Sequence, residues 1–369
     1  FFFKQKTAYE IVDCDWSSDV CSSDLMKLAK VNLGPDWIDL SYGEPRIVLD
    51  TLTKYVNRAE ASKNPLHIPD PNSDMPRWEY QPAQGYPPLT DFLEKKYGSK
   101  VVITNGAKQG MSAVFYALKK MGHTALCIHR PYWVSTPELI EHAGLKVEYI
   151  DKDIYESTAF MVTSPNNPDG KDLTRENINL LVAEARAEGI TLIHDAAYYT
   201  PIYVKDTSSI LNFGDAQIYS ISKMYGVSGL RIGYVVCHNE ALLEHVVEYV
   251  EKTTAGVSIA SQKAVYAIEM FFDGRPKLLA RFEKECRDKL KESRKILTSL
   301  NPEVLEVPSD FVEQNGMFAW LKKGPRLDNV KAKVHFVDGG IFGDSTKVRI
   351  NIAYPKDLIE EAVRRLNSV

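Results

Sequence analysis

Lys223 closes the run Ser220-Ile221-Ser222-Lys223, and eight residues on stands Arg231, in Gly229-Leu230-Arg231-Ile232-Gly233. A lysine serves an enzyme when its amine sheds a proton and attacks a carbonyl. Two hydroxyl residues beside it, and an arginine close behind, suit a bound phosphate. An amine and a phosphate pocket together fit pyridoxal phosphate, whose aldehyde condenses with a lysine to a Schiff base. Alone, the run also reads as a surface lysine in a polar turn, and short motifs match by chance. The remaining chain has to decide between the two.

Further candidates recur along the sequence. Asn105-Gly106-Ala107-Lys108-Gln109 follows an apolar run and opens a helical pattern. Amides at a helix start bind phosphate, although a plain strand-to-helix turn looks the same. Pro131-Tyr132-Trp133 offers an aromatic ring to stack on a planar group, or simply to pack. In Ser164-Pro165-Asn166-Asn167-Pro168-Asp169-Gly170, Asn167 has amide hydrogens to give to an oxygen. A tight surface turn accounts only for the Pro-Asp-Gly end. Asp195 ends a strand-like run, with Tyr198 three residues later. A carboxylate there is costly without a cation. A protonated pyridine nitrogen would serve, and so would a nearby Lys or Arg. The neighbouring His194 either packs or orients Asp195. Arg349, in Val348-Arg349-Ile350-Asn351, has the fork that holds a carboxylate in two bonds, or it makes a surface ion pair.

These residues need a scaffold. Seven apolar strand-like runs, at 101–104, 125–129, 147–150, 159–163, 191–194, 218–221 and 232–237, alternate with helical stretches near 108–121, 134–144 and 174–188. Such alternation predicts an α/β fold, a mostly parallel seven-stranded sheet flanked by helices. Ligands in such sheets sit at the carboxyl ends of the strands, where the candidates fall. The charged region 239–300 reads as a solvated helix face plus a connector. Strands near 304–307, 317–321, 334–337 and 347–352, then a helix over 356–367, predict a smaller α+β domain. Residues 62–88, rich in Pro, Asn, Asp and Gly, read as loop. The expected organisation is 26–60 as the N-terminal segment of the small domain and 61–250 as the large cofactor-binding domain. Connecting helices at 251–300 and the C-terminal small domain at 301–369 complete it.

Residues 1–25 lack apolar periodicity and resemble the conceptual translation of a sequencing-library adapter; functional reasoning excludes them. Five scattered acidic residues also speak against a secretory or transit peptide there. The whole chain has 369 residues, with 45 basic against 49 acidic; after Leu25 the balance is 43 to 44. That near-neutral balance favours neither nucleic acid nor an anionic membrane as a partner. No run of 18 apolar residues predicts a membrane helix. Three cysteines remain, Cys127, Cys237 and Cys286, and so odd and scattered a set predicts reduced thiols in a cytoplasmic protein. The eight histidines have no metal-ligand spacing.

The ordered set of a Gly loop, an aromatic residue, Asn-Asn-Pro-x-Gly, Asp-x-Ala-Tyr, Ser-x-Ser-Lys, Gly-x-Arg-x-Gly and Val-Arg resembles the class I/II aminotransferases of pyridoxal-phosphate fold type I. The resemblance covers about residues 31–353. It implies that Lys223 holds the cofactor as a Schiff base and then shuttles a proton, that Asp195 pairs with the pyridine nitrogen, and that Asn167 and Tyr198 bond its phenolic oxygen. It implies that Trp133 stacks on the ring, and that Ser220, Arg231 and the amides of Gly106, Ala107 and Lys108 hold the phosphate, with Ser222 nearby. Arg349 would clamp the substrate α-carboxylate, Gly43 would approach the substrate, and Tyr80 would be lent to the phosphate of a second subunit in a homodimer. Asp169 replaces the family's usual Thr, a turn position of little chemical weight. The Gly-x-Lys-Gln form around Lys108 resembles bacterial-type aspartate/prephenate aminotransferases, where that lysine meets a distal carboxylate; this implies an acidic donor such as glutamate or aspartate. The alternative is that Lys108 only adds charge near the phosphate. The same cofactor chemistry also supports a β-lyase (C–S lyase), and a non-catalytic effector domain shares the fold.

Overall fold

The computed structural model describes residues 34–58, 80–150, 158–204 and 213–369. Residues 1–25 and the part of the loop before Tyr80 lie outside the described residues.

The chain opens with the short strand β1 (Ile38–Asp39) and helix α1 (Arg46–Arg58), then helix α2 (Pro87–Tyr97). The α/β alternation follows as expected: β2 (Lys100–Thr104), α3 (Gly106–Lys120), β3 (Ala125–Ile128), α4 (Ser135–His142), β4 (Lys146–Tyr149), β5 (Ala159–Thr163), α5 (Arg175–Glu188), β6 (Thr191–Asp195), β7 (Ala216–Ser220), α6 (Ile221–Tyr225) and β8 (Gly233–Cys237). The seven strands β2 to β8 form one sheet in the order β2-β8-β7-β6-β5-β3-β4. Only β8 runs against its neighbours; the other strands are mutually parallel.

Burial on both faces explains the nearly unbroken apolar runs in these strands. Alternation divides each strand between two cores. Val101, Ile103, Leu192, Tyr219 and Tyr234 join one. Val102, Ile193, Ile218 and Val235 join the other, against α3. Ile221, expected at the end of a strand, instead opens α6, so the chain turns from sheet to helix just before Lys223.

Region 239–300 corrects the reading of a solvated face and connector. It forms three helices, α7 (Glu240–Thr254), α8 (Ile259–Phe272) and α9 (Pro276–Leu297). Their buried Leu242, Val246, Val265, Ile268, Phe282 and Leu290 are core residues. The high charge hid a narrow apolar stripe at helical spacing.

The remaining chain forms β9 (Leu305–Glu306), β10 (Phe318–Lys323), helix α10 (Asn329–Ala332), β11 (Val334–His335), β12 (Val337–Asp338), β13 (Lys347–Asn351) and helix α11 (Lys356–Asn367). An antiparallel sheet in the order β12-β13-β10-β9 carries Arg349. β11 leaves that sheet and pairs in parallel with β1.

Candidate active site

Most of the functional side chains emerge at one edge of the seven-stranded sheet. Gly106 to Lys108 follow β2, Trp133 follows β3, Asn167 follows β5, and Asp195 and Ser220 end β6 and β7. Because β8 is antiparallel, its beginning lies at this same edge, which puts Arg231 there. A single cavity is lined by all of these together with Gly43, Tyr198, Ser222, Lys223 and Arg349. Thirteen of the fourteen residues singled out in the sequence thus converge. The exception is Tyr80, which is 91% exposed and outside the cavity.

One end of the cavity is built for an anion. The first turn of α3 enters it, and no side chain caps that helix start. Gly106 has φ +73°, and a Cβ built on it would lie 2.8 Å from Arg231 Nη2. A side chain at position 106 would occupy the guanidinium's place. Arg231 itself holds a left-handed φ of 53°, unusual for a residue with a side chain, and its Nη1 donates to Ser228 O at 3.2 Å. Ser220 and Ser222 complete this end.

The middle of the cavity holds a buried acid. The Asp195 carboxylate accepts from Ala197 N at 3.1 Å and from Thr163 Oγ1 at 3.4 Å. Burial pushes its pKa up to about 6, against the pull of those two bonds. Beside it, Asn167 Nδ2 donates to Tyr198 Oη at 3.4 Å. His194 packs rather than orienting Asp195. It donates from Nε2 to Ser164 O at 3.0 Å, accepts from Gln217 at Nδ1 at 3.2 Å, and meets Phe213 edge-on. Burial lowers its pKa to about 4, so it stays neutral.

Lys223, 8% exposed, is fixed from two sides. Its carbonyl accepts from Tyr203 Oη at 3.0 Å, and its Nζ donates to Gly43 O at 2.5 Å. Arg349 closes the far wall. Its guanidinium lies between the rings of Phe318 and Phe342, 4.5 and 5.0 Å from their centroids. It donates to Asn167 Oδ1 at 2.9 Å and to Ser41 O at 2.8 Å. Lys108 also enters the cavity, its Nζ 5.1 Å from the Trp133 ring centroid.

Tyr42, Glu44, Met111, Val134, Ser228 and Phe342 line the cavity too, and none was singled out in the sequence. Glu44 stands one residue after Gly43, and that adjacency is its only signal in the sequence. Phe342 lies in Gly339-Gly340-Ile341-Phe342-Gly343, whose spacing carries no chemical signal.

The arrangement fits pyridoxal phosphate on its own terms: a glycine cradle filled by an arginine, a buried acid with a raised pKa, an indole ring in the cavity lining, and a buried amine. The family described as aminotransferase class I and II matches residues 35–366. The chain belongs to the class I and II aminotransferases. An aspartate aminotransferase of Bacillus subtilis is 25% identical over 382 residues, 90% of this chain and 91% of that protein. A mutant aspartate aminotransferase of Thermus thermophilus superposes with a TM-score of 0.73 at 18% identity, covering 99% of this chain and 100% of that one. An aspartate aminotransferase of Thermotoga maritima gives 0.67 at 21%, with 94% of each chain covered. This aminotransferase is therefore a pyridoxal-phosphate enzyme that moves an amino group between an amino acid and a 2-oxo acid. Its fold is the one shared by those neighbours. No helix among the described residues is long and apolar enough to cross a membrane, and no His, Cys, Asp and Glu cluster there could hold a metal.

Proposed function

We propose that this aminotransferase takes an acidic amino donor, glutamate or aspartate, and that the fourteen residues play the parts their positions suggest. The observation that carries the donor class is that, beside Lys223 and Arg231, the cavity is lined by two further cations, Lys108 and Arg349, together with apolar Met111, Val134 and Phe342. Arg349 presents a fork to the α-carboxylate, and Lys108 a point charge to a distal one. That the relatives compared above are aspartate aminotransferases agrees with this. The bound cofactor supplies a carbonyl for the lysine and a protonated ring that draws off electrons as the substrate Cα–H bond breaks.

The chain's own residues do the rest. Ser220, Ser222, Arg231 and the amides of Gly106, Ala107 and Lys108 hold the phosphate. Asp195 ionises beside the ring nitrogen and keeps its proton in place. Asn167 and Tyr198 orient the phenolic oxygen, and Trp133 covers one face. Lys223 holds the cofactor covalently, then carries the proton from the substrate Cα as general base and acid. Gly43 leaves room for the substrate beside that amine.

The same proposal includes a homodimer in the cytoplasm. Tyr80, exposed and outside the cavity of its own chain, would serve a second copy, and Cys127, Cys237 and Cys286 are buried and in no disulfide. Residues 34–58 with 301–369 form the small domain around the antiparallel sheet.

The test is a visible-absorption titration with amino acids added one at a time. Glutamate or aspartate should bleach the band of the lysine-bound cofactor at lower concentration than neutral amino acids. Lys108→Ala should raise KM for the acidic donor about 10- to 100-fold, the worth of one charged hydrogen bond, and leave alanine unaffected. Unchanged glutamate and aspartate kinetics in Lys108→Ala would overturn the acidic-donor reading. Sedimentation settles the dimer.

A further inference from the structure

Four consecutive carbonyls, from Ser41 to Glu44, are each held by a side chain. Arg349 donates to Ser41 O at 2.8 Å, and Lys223 Nζ to Gly43 O at 2.5 Å. Asn351 Nδ2 donates to both carbonyls that flank Gly43, Tyr42 O at 2.6 Å and Glu44 O at 2.9 Å. Asn351 is fully buried, its Oδ1 accepts from Ala353 N at 2.9 Å, and its backbone N–H donates to Leu40 O at 3.0 Å. A peptide between two pinned neighbours has little freedom to turn. Asn351 thereby aims the Gly43 oxygen at the lysine without touching the lysine itself.

We propose that Asn351 is a positioning residue of the reaction. It fixes Gly43 O as the docking point of the Lys223 ammonium whenever that amine is not bonded to the cofactor. The proposal rests on the reading of Lys223 as the cofactor lysine. A displaced amine on a flexible four-carbon stem has many rotamers, and a proton carrier works only within hydrogen-bond reach of its target. Docking on Gly43 O keeps the proton-bearing Nζ in the cavity, on a loop that Arg349 also grips. The carboxylate clamp and the proton carrier thus share one strap, and Asn351 is the residue that holds that strap on both sides of Gly43.

The experiment uses the whole chain. In cofactor-free protein, acylation of Lys223 by acetic anhydride is followed by peptide mass spectrometry, with exposed Lys356 as the internal reference. Asn351→Ser, which is too short to reach both carbonyls, should label at Lys223 about threefold faster or more, as a loop that opens locally does. With the cofactor bound, the variant's kcat should fall roughly tenfold, within the range of a mispositioned acid–base group. KM for the donor should change little, and the isotope effect from α-deuterated substrate should rise. Should Asn351→Ser fail to fold, Asn351→Asp carries the same measurements, because it keeps the shape and the Ala353 bond. Unchanged labelling and isotope effect in a folded variant overturn the proposal. If Lys223→Ala still bound the cofactor covalently, the reading of Lys223 itself would fall instead.

Discussion

Two buried polar groups lie on opposite faces of the seven-stranded sheet and treat charge in opposite ways. On one face, Glu269 of α8 meets Lys96 of α2 at 3.5 Å, beside the stacked Tyr219 and Tyr234 and the 2.7 Å bond between the hydroxyls of Tyr97 and Tyr234. Burial pulls the Lys96 pKa down, and the charge and hydrogen bond of Glu269, together with Tyr97 and Glu283, more than reverse it. There the acid and the cation offset each other's charge. On the other face, Asp195 receives its bonds from neutral donors, and its pKa climbs to about 6. Lys223 points to a carbonyl instead. A paired buried charge is a structural fitting. A buried acid held by neutral groups and destabilised is a place prepared for something that arrives later.

Deleting the central amine gives the sharpest contrast. Lys223→Ala should lower transamination on the order of 10³-fold or more, since both the covalent anchor and the proton carrier go. Lys96→Ala should leave kcat within about twofold, because it serves only the fold. Steady-state kinetics on both variants checks this, and a large kinetic loss in Lys96→Ala would erase the distinction.

Neutralising the two acids should move stability in opposite directions. The folded pKa of Asp195 lies above its ordinary 3.8, so the folded cofactor-free protein binds the extra proton. Its stability then falls as pH rises from about 4 to about 6 and stays lower above that, by about 3 kcal/mol. Asp195→Asn should remove this fall and make the cofactor-free protein harder to unfold at pH 8, while cofactor affinity and kcat both drop. Glu269→Gln should destabilise by about 1–3 kcal/mol, below the figure for a fully buried pair because Lys96 reaches solvent. Urea melts at pH 4 and pH 8 decide. A melt of Asp195→Asn that follows wild type at both pH values contradicts the prepared-site account.

The same contrast explains what could be read from the sequence. The residues of the sheet edge were legible because each stands at a strand end, where an isolated Lys, Asp or Asn in an apolar context has few uses. Lys223, Asp195, Asn167 and Arg231 carried the site in this way. Phe342, Tyr42 and Asn351 were not legible, since they reach the cavity only through tertiary packing. The run 334–337 shows a similar limit for the fold. Its apolar residues look like one strand, yet Val334 and Val337 pair in different sheets, with buried Phe336 between them. Periodicity reports burial and is silent about the partner strand.

The smallest effects come from removing one phenolic hydroxyl in each region. Tyr97→Phe deletes one side of the 2.7 Å bond to Tyr234 and leaves that hydroxyl with one partner fewer in a buried place. The expected cost is about 1–2 kcal/mol, read as a Tm lower by roughly 2–4 °C, with kcat and KM unchanged. Tyr198→Phe removes a hydroxyl whose bond from Asn167 Nδ2 is long, at 3.4 Å, so losing that bond costs little in folding. Its Tm should stay within about a degree of wild type, because so long a bond is weak. Transamination should slow by about tenfold, the worth of one hydrogen bond that tightens when the cofactor's oxygen is present. The measurement is a melt and a kinetic run on each variant. If Tyr198→Phe loses stability and keeps its rate, the hydroxyl belongs with the tyrosines beside Glu269, and the division between fitting and site has to be redrawn at that residue.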